Sequence, residues 1–340
     1  MQAIGGQLEV LRSRQPLSEV IDDAATDDKL RARLQMVEEA RRFAVDDLLL
    51  PQNDSYSSYA DLQRDYVVWN VFAAPEFSLQ PRQWCYPIAG CVIYRGYFAE
   101  EKANRYAEKL DAKGFDVIVG GVAAYSTLGR FDDPILNTML RWSDTGLVET
   151  LFHELAHQKL YVKDDSAFNE SFATAVAEVG IERWLRARGM PLEVDRLERS
   201  RQLQVDVRRV ALDTVESLNV LYDSDLPDAQ MRLQKRQLLD ALSATTQATI
   251  DASGLQVGNW LAAPLNNAQL VSVGAYEGHL GAFHVLMRDC DDGLECFYSA
   301  AGELAELDYD GRQRRLEELA ATVGASAGPS SQAAADPVSR

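Results

Sequence analysis

Half of this chain's four histidines fall within one pentapeptide, His153-Glu154-Leu155-Ala156-His157. On a helix, residues four apart are rotated by only about 40° and separated by about 6 Å along the axis, so both imidazoles can reach one cation. Glu154, about 100° further round, then lies near the ion without binding it. A carboxylate there is placed to take a proton from a water polarised by the metal. The alternative is a pair of histidines spaced by coincidence. Leu147, Val148, Leu151, Phe152 and Leu155 line the other faces, so such a pair would sit in an apolar helix and need polar partners.

A catalytic zinc takes three protein ligands and keeps one position open. Residues 158–164 contain no histidine, which excludes the H-E-x-x-H-x-x-G-x-x-H pattern. The nearest candidate for a third ligand is Glu170, in Ala167-Phe168-Asn169-Glu170-Ser171-Phe172-Ala173-Thr174. A turn over residues 161–165 lets a second helix start at Ser166 and fold back, with Glu170 facing the histidines. A glutamate there can also be a solvated surface residue, but Phe168 and Phe172 flank it and Ala173, Ala175 and Val176 follow, a buried neighbourhood. Glu149, Thr174 and Asp144 are candidates to support the ligands from behind.

These residues need elements to carry them. Residues 1–50 read as helical: Leu8, Val10, Leu11, Leu17, Val20 and Ile21 are spaced for a helix, and Leu30, Leu34 and Val37 continue on another that Asp27 or Thr26 would cap. Residues 51–144 change character. Runs at 66–73 and 91–98 are β-branched and aromatic, 100–113 is an amphipathic helix stopped by Gly114, and 115–122 is a third strand. From 145 to 323 the pattern is almost wholly helical, with helices over 145–161, 166–188, 192–222, 227–243, 275–288 and 302–323. Ala, Ser, Gly and Pro dominate 324–340, which predicts a disordered tail. The fold class expected is α+β, a small mixed α/β lobe packed on a larger, mostly helical lobe with the site between them.

A net charge of −18, from 52 acidic and 34 basic residues, argues against nucleic acid and anionic membranes as partners. Its ordinary meaning is solubility. The longest apolar runs, such as 117–119 and 261–263, are too short to span a bilayer. The four cysteines form two pairs of equal spacing, Cys85/Cys91 and Cys290/Cys296, and neither is a C-x-x-C knuckle. They are either two disulfides closing small loops, which implies an oxidising compartment, or four buried thiols.

The pairing of His153-Glu-Leu-Ala-His157 with Asn169-Glu170-Ser-Phe-Ala-Thr174 resembles the gluzincin arrangement, in which a downstream N-E-x-x-A-T helix supplies the glutamate. The spacer 158–169 is shorter than in thermolysin-like and large aminopeptidase gluzincins. A closer likeness is to the bacterial "putative zinc aminopeptidase" family, often predicted lipoproteins. It is carried by Gly5-Gly6-Gln7-Leu8, the run YVVWNVFAAPEFSL from Tyr66 to Leu79, Trp84-Cys85, Tyr125-Ser-Thr-Leu-Gly129 and Phe131-Asp-Asp-Pro134, and it covers roughly residues 5–310. The resemblance implies a zincin-like metallopeptidase fold and one zinc per chain on His153, His157 and Glu170, with Glu154 as base and a peptide as substrate. It implies an aminopeptidase. The alternatives are a zinc endopeptidase and a zinc-bound peptide-binding scaffold that does not cleave.

Further parts follow from the resemblance. Gluzincins hold an extended substrate on an edge strand, and 120–126 suits that role: the glycines, Gly121 among them, allow close approach, and Ala123 and Tyr125 follow. An ordinary strand and turn is the alternative. Tyr276, ahead of His279, is the candidate donor to the oxyanion, while His284 reads as an ordinary histidine. An aminopeptidase also binds the substrate's α-amine, for which Glu76 is a candidate with an equal claim to a structural role. Members commonly begin with a lipoprotein leader and an acylated cysteine just before the Gly-Gln-Leu segment. Neither precedes Gly5 in this sequence, so a lipid anchor is expected only if the start is truncated, and the cysteine pairs favour the periplasm or cell envelope over the cytoplasm.

Overall fold

Residues 10–86, 90–124, 132–255, 264–273 and 278–326 are described by the structure, a computed structural model. Strand β1 (Arg14–Pro16) leads into helices α1 (Leu17–Asp22) and α2 (Asp28–Asp46). Asp27, rather than Thr26, caps α2, its carboxylate accepting from the amides of Lys29 and Leu30. The first fifty residues are thus not wholly helical. Arg14, Gln15 and Pro16 are exposed and carry no strand pattern; their antiparallel pairing with β2 (Ser58–Ala60) makes them one.

In the larger sheet, β3 (Val68–Pro75) is the central strand. The expected strand at 91–98 divides at Ile93. Up to Val92 the chain belongs to a hairpin of β4 (Trp84–Tyr86) and β5 (Gly90–Val92), in which Cys85 stands opposite Cys91 and is disulfide-bonded to it. The chain then changes partner, and β6 (Tyr94–Tyr97) runs antiparallel to β3. Helix α3 (Glu100–Asp111) covers the sheet, burying Ala103 and Leu110 with Val71, Ala73 and Tyr97. Gly114, at a φ of +79°, turns the chain into β7 (Phe115–Val122), antiparallel to the other side of β3.

Among the described residues β7 is an edge strand. The Val117 carbonyl points outward, accepting from Asn266 Nδ2 at 3.1 Å. Backbone direction alternates along a strand, so Val119 and Gly121 also turn their N–H and C=O away from β3. Gly121 has a packing reason of its own: a Cβ there would clash with the Tyr66 ring, 2.4–2.6 Å from three of its atoms. Gly121→Ala is expected to destabilise the protein by about 1–3 kcal/mol in denaturant unfolding. In a Tyr66→Ala background the same change should be nearly neutral; an equal loss in both backgrounds would assign the effect to something other than the ring.

Strand β8 (Ile135–Leu136) pairs parallel with β2 and leads to the helical hairpin of α4 (Asp144–Lys159) and α5 (Ser166–Ala187). Then come α6 (Pro191–Tyr222) and α7 (Asp228–Ser253), long helices packed together. Helix α7 runs ten residues past its expected end at 243, because packing, including fully buried Thr246, overrides the weak helix propensity of its threonines. Helix α8 (Asn267–Val273) ties this hairpin to the sheet. Buried Asn267 donates to the carbonyls of Pro75, Glu76 and Ser78 and accepts from the Tyr222 hydroxyl.

The remaining helices are α9 (Leu280–Asp289), α10 (Leu294–Glu306) and α11 (Tyr309–Ser326). The expected helix at 275–288 therefore starts at Leu280, with 274–277 outside the described residues. The one at 302–323 is two helices, divided where the Asp308 carboxylate accepts from the Gly311 amide and starts α11. Helix α11 reaches Ser326, so 324–326 are helical, and 327–340 lie outside the described residues. A second disulfide, Cys290–Cys296, joins the end of α9 to the start of α10.

The main core surrounds α4 and α5. Phe43 of α2 meets Phe152 and Trp184 with ring centroids 6.1 and 5.2 Å apart. On α5, Phe168 and Phe172 pack against Phe283 of α9, and Phe172 stacks on Phe297 of α10. All four are fully buried, each contributing roughly 1.5–3 kcal/mol. No helix among the described residues is long and apolar enough to cross a membrane.

Candidate metal centre

Ser143 starts α4 by accepting the Gly146 amide at 3.1 Å. Burial of Leu147, Val148, Leu151, Phe152, Leu155 and Ala156 then fixes the helix's rotation. Asp165 starts α5 in the same way, accepting from Phe168 N at 3.1 Å. Buried Asn169 grips the loop between the helices: it accepts from Val162 N and donates to Val162 O, both at 2.7 Å.

This hairpin brings His153, His157 and Glu170 together. His153 Nε2 lies 3.1 Å from His157 Nε2 and 3.3 Å from Glu170 Oε2, and His157 Nε2 lies 3.7 Å from Glu170 Oε1. One donor atom from each residue lies within 4.8 Å of the others. A tetrahedral ion bound at about 2.1 Å has ligand-to-ligand edges of about 3.4 Å, so the set fits such an ion. Two imidazole nitrogens facing at 3.1 Å also need a cation or a proton between them. The His157 side chain is 4% exposed, against 22% for His153 and 32% for Glu170, so the centre opens on the side of the latter two.

The charges favour a cation. Burial, reinforced by His153, pushes His157 down to about 4, so it is neutral near pH 7. Burial pushes the Glu170 carboxyl up, but the two histidines outweigh it and hold it below the usual carboxylate range. Burial likewise opposes charge on His153, yet its bond to Glu170 and the charge of Glu154 raise its proton affinity. A proton on His153 is thus the competitor of a metal.

A family model described as "Putative aminopeptidase" matches residues 1–316. The chain belongs to that family. Comparisons with curated proteins and with solved structures return no match. The span shared with the aminopeptidase family includes both helices that carry the candidate donors and ends inside α11.

In this member of the aminopeptidase family, Glu154 is half-buried on α4 beside His153. Glu149 pairs with Arg201 Nη2 at 3.3 Å, and its charge also raises the proton affinity of His153. Burial raises the pKa of Glu149, although Arg201 opposes the shift. Arg201 also donates to the Glu178 carbonyl, and the Glu178 carboxylate meets His284 Nε2 at 2.6 Å, so His284 ends a chain of partners across four helices. Asp144 pairs with Arg33 at the far end of α4, 3.4 Å away, and Thr174 is half-buried one turn beyond Glu170. The His279 amide donates to Ser171 Oγ at 3.1 Å, which lays that segment across α5 next to Glu170.

Gly121 lies on the exposed edge, and the Ala123 carbonyl accepts from Thr138 Oγ1 at 2.5 Å. Tyr125 and Tyr276 lie outside the described residues. Glu76 is engaged by a partner from a distant helix. Arg232 binds both its oxygens, at 2.6 and 2.9 Å, and this bond holds its carboxyl below the usual range. It also follows the end of β3 opposite to Gly121, roughly 20 Å along the sheet.

Three contributors had little or no signal in the sequence. Asp165 is a capping residue type just before an expected helix start, but its second oxygen binds Arg312 Nε at 2.8 Å, from a helix 147 residues away. Nothing local marks Asn169 as a clamp. Tyr161 falls in the expected turn, and its ring meets the His157 ring with centroids 6.3 Å apart.

Proposed function

We propose that the chain is a zinc-dependent peptidase of zincin-like fold, with zinc on His153, His157 and Glu170 and Glu154 as general base. The observation that carries the reading is the convergence of these three donors with the spacing that sets Glu154 beside them. Two imidazole nitrogens and one carboxylate suit zinc and leave a position open. When bound, zinc lowers the pKa of water and polarises a carbonyl. Glu154 accepts the proton at its carboxylate and returns it to the departing amine. The outward backbone groups of Val119 and Gly121 offer an extended peptide two-point pairing, with the sheet lobe of 51–144 as platform and the helical lobe of 145–323 as the catalytic half. The two disulfides support an oxidising compartment such as the periplasm or cell envelope.

Elemental analysis is expected to find about one zinc per chain in the wild type and almost none in His153→Ala or Glu170→Ala. Full zinc in both variants would sink the ligand set. Cleavage of aminoacyl and internally quenched peptides then reads the activity. The family description favours cleavage at the amino end. The alternative is an endopeptidase; Glu76, the candidate amine anchor, is ion-paired to Arg232. Acetylating the substrate amine separates the two, abolishing exopeptidase cleavage only. A zinc-loaded protein that cleaves nothing is the peptide-binding scaffold.

A further inference from the structure

We propose that Tyr161 forms a wall of the substrate site and selects peptides with an apolar or aromatic side chain beside the scissile bond, an inference that rests on the peptidase reading above. Tyr161 is 48% exposed, yet it is not a side chain on a loose loop. Its ring stands at 74° to the His157 imidazole, and both backbone polar groups of the next residue, Val162, are held by Asn169. The ring is therefore presented from a fixed backbone beside a ligand of the metal centre.

A fully covered tyrosine buries about 150–250 Å², and this one leaves much of its surface in water. A peptide held at the centre brings a side chain within its reach. The surroundings favour an apolar one. The chain neighbours Leu160 and Val162 pack against the main core, and the exposed Lys163 and Asp164 that follow cancel in charge, so the ring is the apolar surface that this segment presents. The hydroxyl has no part in this role.

The test compares zinc-loaded wild type, Tyr161→Ala and Tyr161→Phe on peptides that differ only in Phe, Leu, Ala or Lys beside the scissile bond. The wild type is expected to prefer Phe and Leu. Tyr161→Ala should lose about tenfold in kcat/KM on those two, through KM, with little change on Ala, while Tyr161→Phe stays within about threefold of wild type. Unchanged zinc content and Tm in both variants mark the effect as local. An equal loss on every substrate, a loss in Tyr161→Phe matching that in Tyr161→Ala, or a wild-type preference for Lys would overturn the proposal. If the zinc-loaded wild type cleaves no peptide, the peptidase reading fails by itself, and phenylalanine and alanine hydroxamates take the place of substrates in calorimetry. Phenylalanine hydroxamate bound about tenfold more tightly by wild type, but equally with alanine hydroxamate by Tyr161→Ala, upholds the wall; equal binding by wild type overturns it.

Discussion

Glu154→Gln is expected to keep its full metal complement while hydrolysis falls by a factor of about 10²–10⁴. The substitution preserves shape and removes only the ability to hold a proton. Glu154 is not one of the three donors within 4.8 Å of one another, so the ligand set survives its neutralisation. It is half-buried on the same helix as both histidines, which keeps its position fixed relative to them. Zinc content by elemental analysis and kcat/KM on the best peptide of the panel are the two readouts. A variant that loses zinc in proportion to activity would make Glu154 a part of the metal site instead. Unchanged activity would remove it from the reaction.

Arg312→Ala is expected to cost about 3–5 kcal/mol of stability in the metal-free protein, measured by denaturant unfolding. The Arg312–Asp165 pair is buried, with side chains 5% and 2% exposed, so deletion of the guanidinium strands a carboxylate away from water. Gln313 Nε2, at 3.2 Å, and the Phe168 amide would be its remaining donors. The carbonyl of Leu307 would lose its donor as well. The same carboxylate starts α5, five residues before Glu170, so weaker zinc binding should accompany the lost stability. Asp165→Asn should be milder in the helix start, since asparagine caps nearly as well, but it too leaves Arg312 without a counter-charge. A loss below about 1 kcal/mol for Arg312→Ala would mean that water reaches the pair.

The convergence of the three candidate donors was legible because their information is local. Helical spacing aligns His153 with His157, and the aromatic flanks of Glu170 announce a buried turn of helix. Strand β7 was legible to the residue, bounded by Gly114 and carried on Val117, Ile118 and Val119. What failed depended on distant partners. β1 exists only through β2, and the strand at 91–98 breaks because Cys91 belongs to Cys85 while Tyr94 belongs to β3. Glu76 finds its partner Arg232 156 residues away in the chain, beyond the reach of any local pattern. Arg312 was invisible for the same reason, since its partner lies on the other side of three intervening helix pairs in the chain.

The grip of Asn169 on Val162 bears on how such a site acquires its ion. Twelve residues separate His157 from Glu170, and the middle of that segment is already fastened to the helix that follows it. Small metal-dependent domains collect scattered ligands from an unfolded chain, so that binding and folding are one event. Here the candidate donors stand in place on packed helices, and an ion would enter a finished receptor. Zinc bound there would stabilise the protein by mass action alone, raising the melting temperature with concentration while the helix content stays where it was.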